Sequence, residues 1–231
     1  MKISKIYYLG AILLALSLLL KFFQNLDLQI LYILNNLYFS DFALSFLTEM
    51  GNSFFIISFL TPLLSYLSYS IKKLNYVSPA VLIIPGILFG VIIQIIKNVF
   101  NFSRPGAVEG IDINILDPIF QSLSYPSGHA ASILFFGFWW TQLALGHRFK
   151  SIRYLIYFLI ISIAITRVII GAHWFSDVIA SFALALIYIE TINKDRIINF
   201  LNVNFFLNIT SVLIIILGIY SVFNFEVFDH I

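Results

Sequence analysis

Long apolar stretches alternate with short polar segments along the whole chain. A helix that crosses a membrane needs about 20 mostly apolar residues. Segment 28–48 is also apolar, but Asn35, Asn36, Ser40 and Asp41 interrupt it, so we expect one or two helices at the membrane surface there. The pattern predicts an all-α polytopic membrane bundle of six core transmembrane helices plus a seventh. The predicted spans are 6–23, 54–71, 79–97, 128–146, 153–170, 174–191 and 206–224.

The composition agrees with a membrane protein. Of the 231 residues, 61% are hydrophobic and 10% are charged, and the mean hydropathy is +0.99, which leaves too little charge for the surface of a soluble domain. The absence of cysteine excludes disulfides and thiolate metal sites. A net charge of +2 does not indicate nucleic-acid binding. Lys2 and Lys5 precede the first apolar stretch as in a signal peptide, but no small-residue cleavage site follows, so we expect an uncleaved helix.

The cations divide unevenly between the two sets of loops. Nine of the thirteen Lys and Arg residues fall on one side, and the positive-inside rule makes that side cytoplasmic. In a bacterial inner membrane the other side is the periplasmic face, which we expect to carry the active site. Three of its four cations belong to the polar clusters described next. Those four are Lys21, Lys97, Arg104 and Arg167.

The first polar cluster follows the predicted span 79–97. Lys97 ends that span, and Arg104 lies in the loop behind it, where Pro105 disfavours helix. Two cations at a helix end either extend towards lipid headgroups or bind an anion, and this pair alone leaves both interpretations open.

The second cluster is Tyr125-Pro126-Ser127-Gly128-His129, at the start of a predicted span. Ser127 can cap this helix, and the free N–H groups of a helix start attract anions. Gly128 allows a ligand to approach the backbone closely, and His129 in the first turn could reach a phosphate oxygen. An ordinary helix cap explains the pattern equally well.

The third cluster holds Thr166-Arg167, then His173 after five intervening residues, then Asp177 after three more. If the helix begins by His173, this histidine and Asp177 share one face. A carboxylate that accepts a hydrogen bond from one ring nitrogen leaves the other as a nucleophile. The alternative is a structural pair in a tight turn around Gly171, which the neighbouring Arg167 makes less attractive.

Together the clusters resemble the signature of the type 2 phosphatidic acid phosphatase superfamily. That signature is K-x6-RP, PSGH and SR-x5-H-x3-D, and only Thr166 departs from it, in place of serine. The resemblance covers a catalytic core of about 79–190 within a single membrane domain, 1–231. The first two spans fit the six-helix membrane members in position only, and the seventh span lies outside their pattern.

The resemblance implies roles for the site residues. His173 would attack phosphorus and form a phosphohistidine, Asp177 would orient it, and His129 would protonate the leaving oxygen and then activate water. No metal or cofactor is implied, because fixed cations supply the positive charge. The phosphate-binding groups would be Lys97, Arg104, Ser127, Gly128 and Arg167.

The expected substrate is a membrane lipid phosphate or diphosphate whose tail stays in the bilayer, and we favour undecaprenyl pyrophosphate. Lipid A phosphates, phosphatidylglycerophosphate, phosphatidic acid and a lipid phosphotransferase reaction stay open. Loop 106–125 is expected to cover the phosphate pocket, and its carboxylates Glu109, Asp112 and Asp117 to repel bulky anions or bind a polar headgroup.

Vanadate-dependent halide oxidation is disfavoured because those family members are soluble. A non-enzymatic transporter would place its polar groups at mid-span rather than at span ends. The pattern does not address the oligomeric state.

Overall fold

The computed structural model describes residues 4–116, 120–146, 149–192 and 194–224, and all regular secondary structure among them is helical. A π-helical turn, Ile56–Leu60, joins α4 to α5, and a second one, Thr141–Leu145, extends α7. In chain order the α-helices are α1 (Lys5–Phe22), α2 (Gln24–Asn35), α3 (Asp41–Glu49), α4 (Ser53–Phe55), α5 (Thr61–Ser70), α6 (Pro79–Phe100), α7 (Gly128–Trp140), α8 (Lys150–Ile169), α9 (Phe175–Thr191), α10 (Lys194–Val203) and α11 (Phe205–Asn224).

The predicted apolar stretches are helical to within a few residues, and segment 28–48 forms parts of the two short helices α2 and α3. The predicted number of seven spans is not confirmed. Within the described chain, five helices are long and apolar enough to cross a membrane, or six if α9 and α10 form one bent span. The pattern missed α10 because its residues are too polar to extend an apolar run.

Helix α7 lies at the centre of the bundle. It packs against α6, α8 and α9, and Phe135, Phe138 and Trp139 on it are buried. Gly137 allows α8 to approach closely, since a Cβ there would lie 2.7 Å from Ile160 side-chain atoms. The second motif begins this helix, so its position is fixed by the best-packed element of the fold.

A proline inside α6 is accommodated by side chains of two other helices. Pro85 has no N–H to donate to the carbonyl of Val81. The indole of Trp139 donates to that carbonyl instead, at 2.8 Å, and the Tyr188 hydroxyl donates to the Pro85 carbonyl at 3.0 Å. Backbone groups without partners are costly in lipid, so these bonds stabilise the packing of α6 on α7 and α9.

Helix α1 packs along α9 more extensively than any other pair of helices does. Gly10 makes this possible, because a Cβ there would lie 2.8 Å from Ile187 Cγ1 and 3.1 Å from the Ala183 carbonyl. The close pairing carries the carboxyl end of α1 to the amino end of α9, where the third motif lies.

The turn between α8 and α9 is held by α2 and by the loop before α7. Asn35 donates to the carbonyls of Asn114 (2.9 Å) and Ile169 (2.8 Å) and accepts from the Asn114 N–H. Gly171 has a φ of +70°, and a Cβ there would lie 2.6 Å from the Asn114 carbonyl. This turn therefore requires glycine both for its backbone conformation and for space.

Two glycine substitutions separate these requirements. Gly110 also has a positive φ, +81°, but nothing lies within 4 Å of a Cβ there. We expect Gly110→Ala to cost about 1 kcal/mol of stability from backbone strain alone and Gly171→Ala to cost clearly more. Thermal unfolding in detergent measures both, and equal losses would show that the approach of Asn114 does not matter.

Candidate active site

Asp177 is the residue around which the site is organised. It occupies the third position of α9, and its side chain is completely buried. Oδ2 accepts from the Trp174 N–H at 3.0 Å, from the Ser124 hydroxyl, and lies 3.2 Å from His173 Nδ1. Oδ1 lies 2.8 Å from Nζ of Lys21. A buried carboxylate needs such partners to remain charged.

The predicted pairing of His173 with Asp177 is present, but the reason given for it is wrong. Helix α9 begins at Phe175, so His173 precedes the helix and does not share a helical face with Asp177. The first turn folds back instead, with Asp177 accepting from the N–H of Trp174. The N–H groups of Ala172 and His173 both donate to the Arg167 carbonyl at 3.1 Å, which fixes the histidine backbone against the end of α8.

His173 is held in its neutral form. Burial lowers the pKa of its imidazole well below 6.5; the hydrogen bond with Asp177 opposes this effect, and the positive charges of Arg104 and Lys97 reinforce it. With Nδ1 directed at the carboxylate, the lone pair of a neutral ring is on Nε2. A buried, uncharged imidazole of this kind is suited to nucleophilic attack.

The second and third motifs are fastened together through their backbones. The Ser127 N–H donates to the Asp177 carbonyl at 3.2 Å, and the Ser181 hydroxyl donates to the Ser127 carbonyl at 2.8 Å. The Ser127 side chain caps α7 as predicted, accepting from the Ala130 N–H at 3.4 Å. Since the Ser127 N–H already has a partner within the protein, Gly128 is the stronger candidate of the two for binding an anion through its backbone.

Lys97 lies beside these motifs, in the last turn of α6. It is buried, and its ammonium group donates to the Leu123 carbonyl at 2.6 Å. Its Cε lies 3.7 Å from where a Cβ of Gly128 would be. The charges of Arg104, Arg167 and Asp177 all act on it, so the cations of the first and third motifs share one region as predicted.

The two arginines are each positioned by a neighbouring segment. Arg167 is buried, and its Nη1 donates to the Thr48 hydroxyl of α3 at 2.8 Å. Arg104 lies over the ring of Phe120, 4.7 Å from its centre. Thr166, the departure from the family signature, donates its hydroxyl to the Ile163 carbonyl within α8.

His129 is the most accessible of the predicted catalytic groups. Its side chain is 30% exposed, and its Nε2 lies 3.7 Å from Oε1 of Glu49, a residue of α3. The Asn52 side chain donates to the other carboxylate oxygen of Glu49 at 2.7 Å.

Sequence reasoning missed four of these partners, which are Lys21, Thr48, Glu49 and Ser124. Only Lys21 left a signal, as the outward cation that belonged to none of the three clusters. Of the loop carboxylates, Glu109 and Asp112 are exposed, and Asp117 lies outside the described residues. Among those residues, no group of three or more His, Asp or Glu side chains is placed to hold a metal ion.

The neutral burial of His173 predicts a dependence of stability on pH. Unfolded histidine gains a proton as the pH falls through about 6.5, whereas native His173 does not, so the native state loses about 1.4 kcal/mol per pH unit below that value. We expect the melting temperature to fall between about pH 7.5 and pH 5, and His173→Gln to lessen this fall. His129→Gln is the matched control at a more exposed histidine. An equal pH dependence in wild type and His173→Gln would contradict this account.

Comparison with known proteins places this geometry in a family. The profile of the PAP2 superfamily matches residues 79–196, just over half of the chain. A search of curated protein sequences found no match. The crystal structure of Aquifex aeolicus LpxE is similar, with a TM-score of 0.56 and 26% identity over 71% of this chain and 92% of that one.

A second solved structure shares the fold. It is the first transmembrane PAP2-type phosphatidylglycerolphosphate phosphatase from Bacillus subtilis, with a TM-score of 0.54 and 17% identity over 87% of this chain and 96% of that one. The fold class and the resemblance expected from the sequence are thus confirmed. With its multiple apolar helices and a profile match over half its length, this multi-pass membrane chain belongs to the PAP2 superfamily.

Proposed function

We propose that the protein hydrolyses a lipid phosphate or diphosphate through a phosphohistidine formed on His173. The observation that carries this proposal is the buried pair of Asp177 and neutral His173, on which the charges of Lys97 and Arg104 act. A structural ion pair does not require these additional cations, whereas they would balance the charge of a bound phosphate. The family to which the protein belongs and the two structurally similar phosphatases support the same reaction class.

In the first step Nε2 of His173 attacks phosphorus in line with the leaving oxygen. The N–P bond forms as the P–O bond breaks, and the proton on Nδ1 stays hydrogen-bonded to Asp177, which stabilises the developing imidazolium. His129 transfers its proton to the departing oxygen. Oε1 of Glu49 lies 3.7 Å from Nε2 of His129 and is placed to orient this imidazole.

In the second step water attacks the phosphohistidine. His129, now neutral, takes a proton from the water as the new O–P bond forms and the N–P bond breaks. Inorganic phosphate leaves, and His173 returns to its neutral form. The accessibility of His129 matters here, because water must reach it while His173 stays buried.

The cations stabilise the charge on the transferred group. We assign Lys97, Arg104, Arg167 and the Gly128 N–H to its equatorial oxygens, and the dipole of α7 adds to their effect. This charge performs the task that metal ions perform in many other phosphoryl-transfer enzymes, so we assign no metal or cofactor to the reaction.

A groove beside the site supports a lipid substrate. It is a cavity of about 240 Å³ between α6 and α7, with Lys97 and Gly128 at the polar end. Away from them its walls become apolar, with Ile93, Gly90 and Phe135 among the lining residues. A phosphate held at Lys97 would therefore direct an attached hydrocarbon chain along this groove into the bilayer.

For the substrate itself we propose undecaprenyl pyrophosphate, hydrolysed at the periplasmic face of a bacterial inner membrane. The distribution of cations supports this orientation, with the site on the cation-poor side. Phosphatidylglycerophosphate, the substrate named for the Bacillus subtilis neighbour, is the main competitor, together with phosphatidic acid and lipid A phosphates. Transfer of the phosphoryl group to another lipid would use the same first step.

Phosphate release from the purified protein in detergent tests the reaction. We expect activity to persist in EDTA, to be highest in kcat/KM for undecaprenyl pyrophosphate among these four lipid classes, and to fall by about 10³-fold or more in His173→Ala. A magnesium requirement, or activity that survives without the imidazole, would refute the mechanism. Binding without phosphate release in wild type would instead favour a transporter or a lipid-binding protein.

Filling the groove tests the lipid-binding part of the proposal. Nothing lies within 4 Å of a Cβ at Gly90, so Gly90→Leu should fold. We expect it to raise KM for a long-chain lipid phosphate by about tenfold, since each displaced methylene contributes about 0.8 kcal/mol. A short-chain, water-soluble phosphate ester should be hydrolysed nearly as well as by wild type. Val91→Leu, at the next, lipid-exposed position, is the matched control, and equal effects on both substrates would contradict the groove assignment.

A further inference from the structure

Lys21 lies in the last turn of α1, outside all three motifs, and yet it contacts the centre of the site. Its Nζ is 2.8 Å from Oδ1 of Asp177, and its side chain is only 12% exposed. The rings of Trp174, Phe102 and Tyr125 surround the ammonium group at 5.2, 5.5 and 5.9 Å from their centres. Aromatic faces stabilise a cation in such a position, so the location of Lys21 is well defined.

We infer that Lys21 is a positioning residue for the nucleophile: its ammonium group occupies one oxygen of Asp177 and so keeps the other oxygen for His173. The inference rests on the proposed function, because it assigns Lys21 a role in that reaction. In this role Lys21 acts through the carboxylate, with which its ammonium group pairs.

The different partners of the two Asp177 oxygens explain why a cation is needed beside this carboxylate. Oδ2 already receives the Trp174 N–H, the Ser124 hydroxyl and the His173 ring, while Oδ1 faces Lys21. Without Lys21 the buried carboxylate would carry an unbalanced charge. It would then either take up a proton itself or favour a proton on His173. Either change removes the nucleophile, and both become more pronounced as the pH falls.

The neighbouring charges do not substitute for Lys21. Asp27 of α2 adds a second buried carboxylate beside the pair, accepting from the backbone and hydroxyl of Ser176; burial raises the pKa of Asp27, and the charge of Lys21 opposes that rise. The charged and titratable groups that face the Asp177–His173 pair are Lys21 from α1, Asp27 from α2, Lys97 from α6, Arg104 from the loop that follows α6, and Tyr125 from the loop before α7.

The packing of α1 against α9 places Lys21 at this position. The close approach of α1 to α9 at Gly10 sets the register of the two helices, and the Ser17 hydroxyl bonds the Tyr125 hydroxyl at 2.8 Å one turn before Lys21. Immediately after Lys21 the chain turns into α2, where Asp27 is tied to α9. Contacts on both sides therefore hold the lysine against Asp177.

Nuclear magnetic resonance of histidine-labelled protein in detergent tests the inference without any substrate. The chain has only four histidines, and His173→Gln identifies the relevant signal. In wild type we expect the Nδ1–H tautomer, neutral into mild acid. In Lys21→Met we expect protonation of His173 at a pH higher by about one unit or more. Lys5→Met, an exposed lysine at the other end of α1, should leave the signal unchanged. If both the tautomer and the titration of His173 are unchanged in Lys21→Met, the inference is overturned.

Kinetics then show whether Lys21 acts through Asp177. We expect Lys21→Met to lower kcat by about tenfold or more with a smaller change in KM, to move the acid limb of the pH profile upward, and to be largely rescued by Lys21→Arg. In the Asp177→Asn background the added Lys21→Met change should cost little; full additivity would refute coupling. The double variant also avoids an unpaired buried charge if Lys21→Met folds poorly. If wild type releases no phosphate from any lipid, the proposed function fails, while the histidine titration still decides the role of Lys21.

Discussion

The site depends on one buried carboxylate. Asp177 lies in the first turn of α9 with no exposure to solvent, and a lone charge in such a place costs several kcal/mol. Its side-chain partners come from three different parts of the chain: Lys21 from α1, Ser124 from the loop before α7, and His173 from the turn before α9. Satisfying this charge therefore brings together segments that are distant in sequence, and the proposed nucleophile, His173, lies in one of them.

The same requirement orders the neighbouring helices. The amino end of α7 is bonded to α9 through Ser127 and Ser181, while Lys97 closes α6 onto the intervening loop at Leu123. Polar groups that are buried away from water must be satisfied by bonds to one another. Under the proposed function, the cations gathered by these contacts are already in place for a phosphate, so its binding would require little rearrangement.

Sequence reasoning recovers what periodicity and motif spacing encode. Apolar runs locate the long helices, and the motifs identify the polar residues at the helix ends. Both signals are encoded by residues that are close together in the sequence. The partners Lys21, Thr48 and Glu49 come from outside the motifs, and their roles depend on how α1 and α3 pack, which no local pattern specifies. The sequence predicts a shared helical face for His173 and Asp177 only if the helix begins by His173, and this condition is not met. A spacing of four residues suits both a helix and a capped turn, and only the start of α9 distinguishes them.

The dimensions of the groove bear on how a substrate is selected. Gly90 lies seven residues before Lys97 and Gly86 eleven, which places them about 10 and about 16 Å from the phosphate end along α6. Such a groove holds only the first part of a long lipid chain, and the exposed positions Ile87 and Gly90 open it sideways, so the remainder of the chain can stay among bilayer lipids. The tail is therefore a weak basis for discriminating between lipids. Under the proposed function, selection falls instead to the groups around the phosphate, such as Glu49, whose carboxylate lies beside His129.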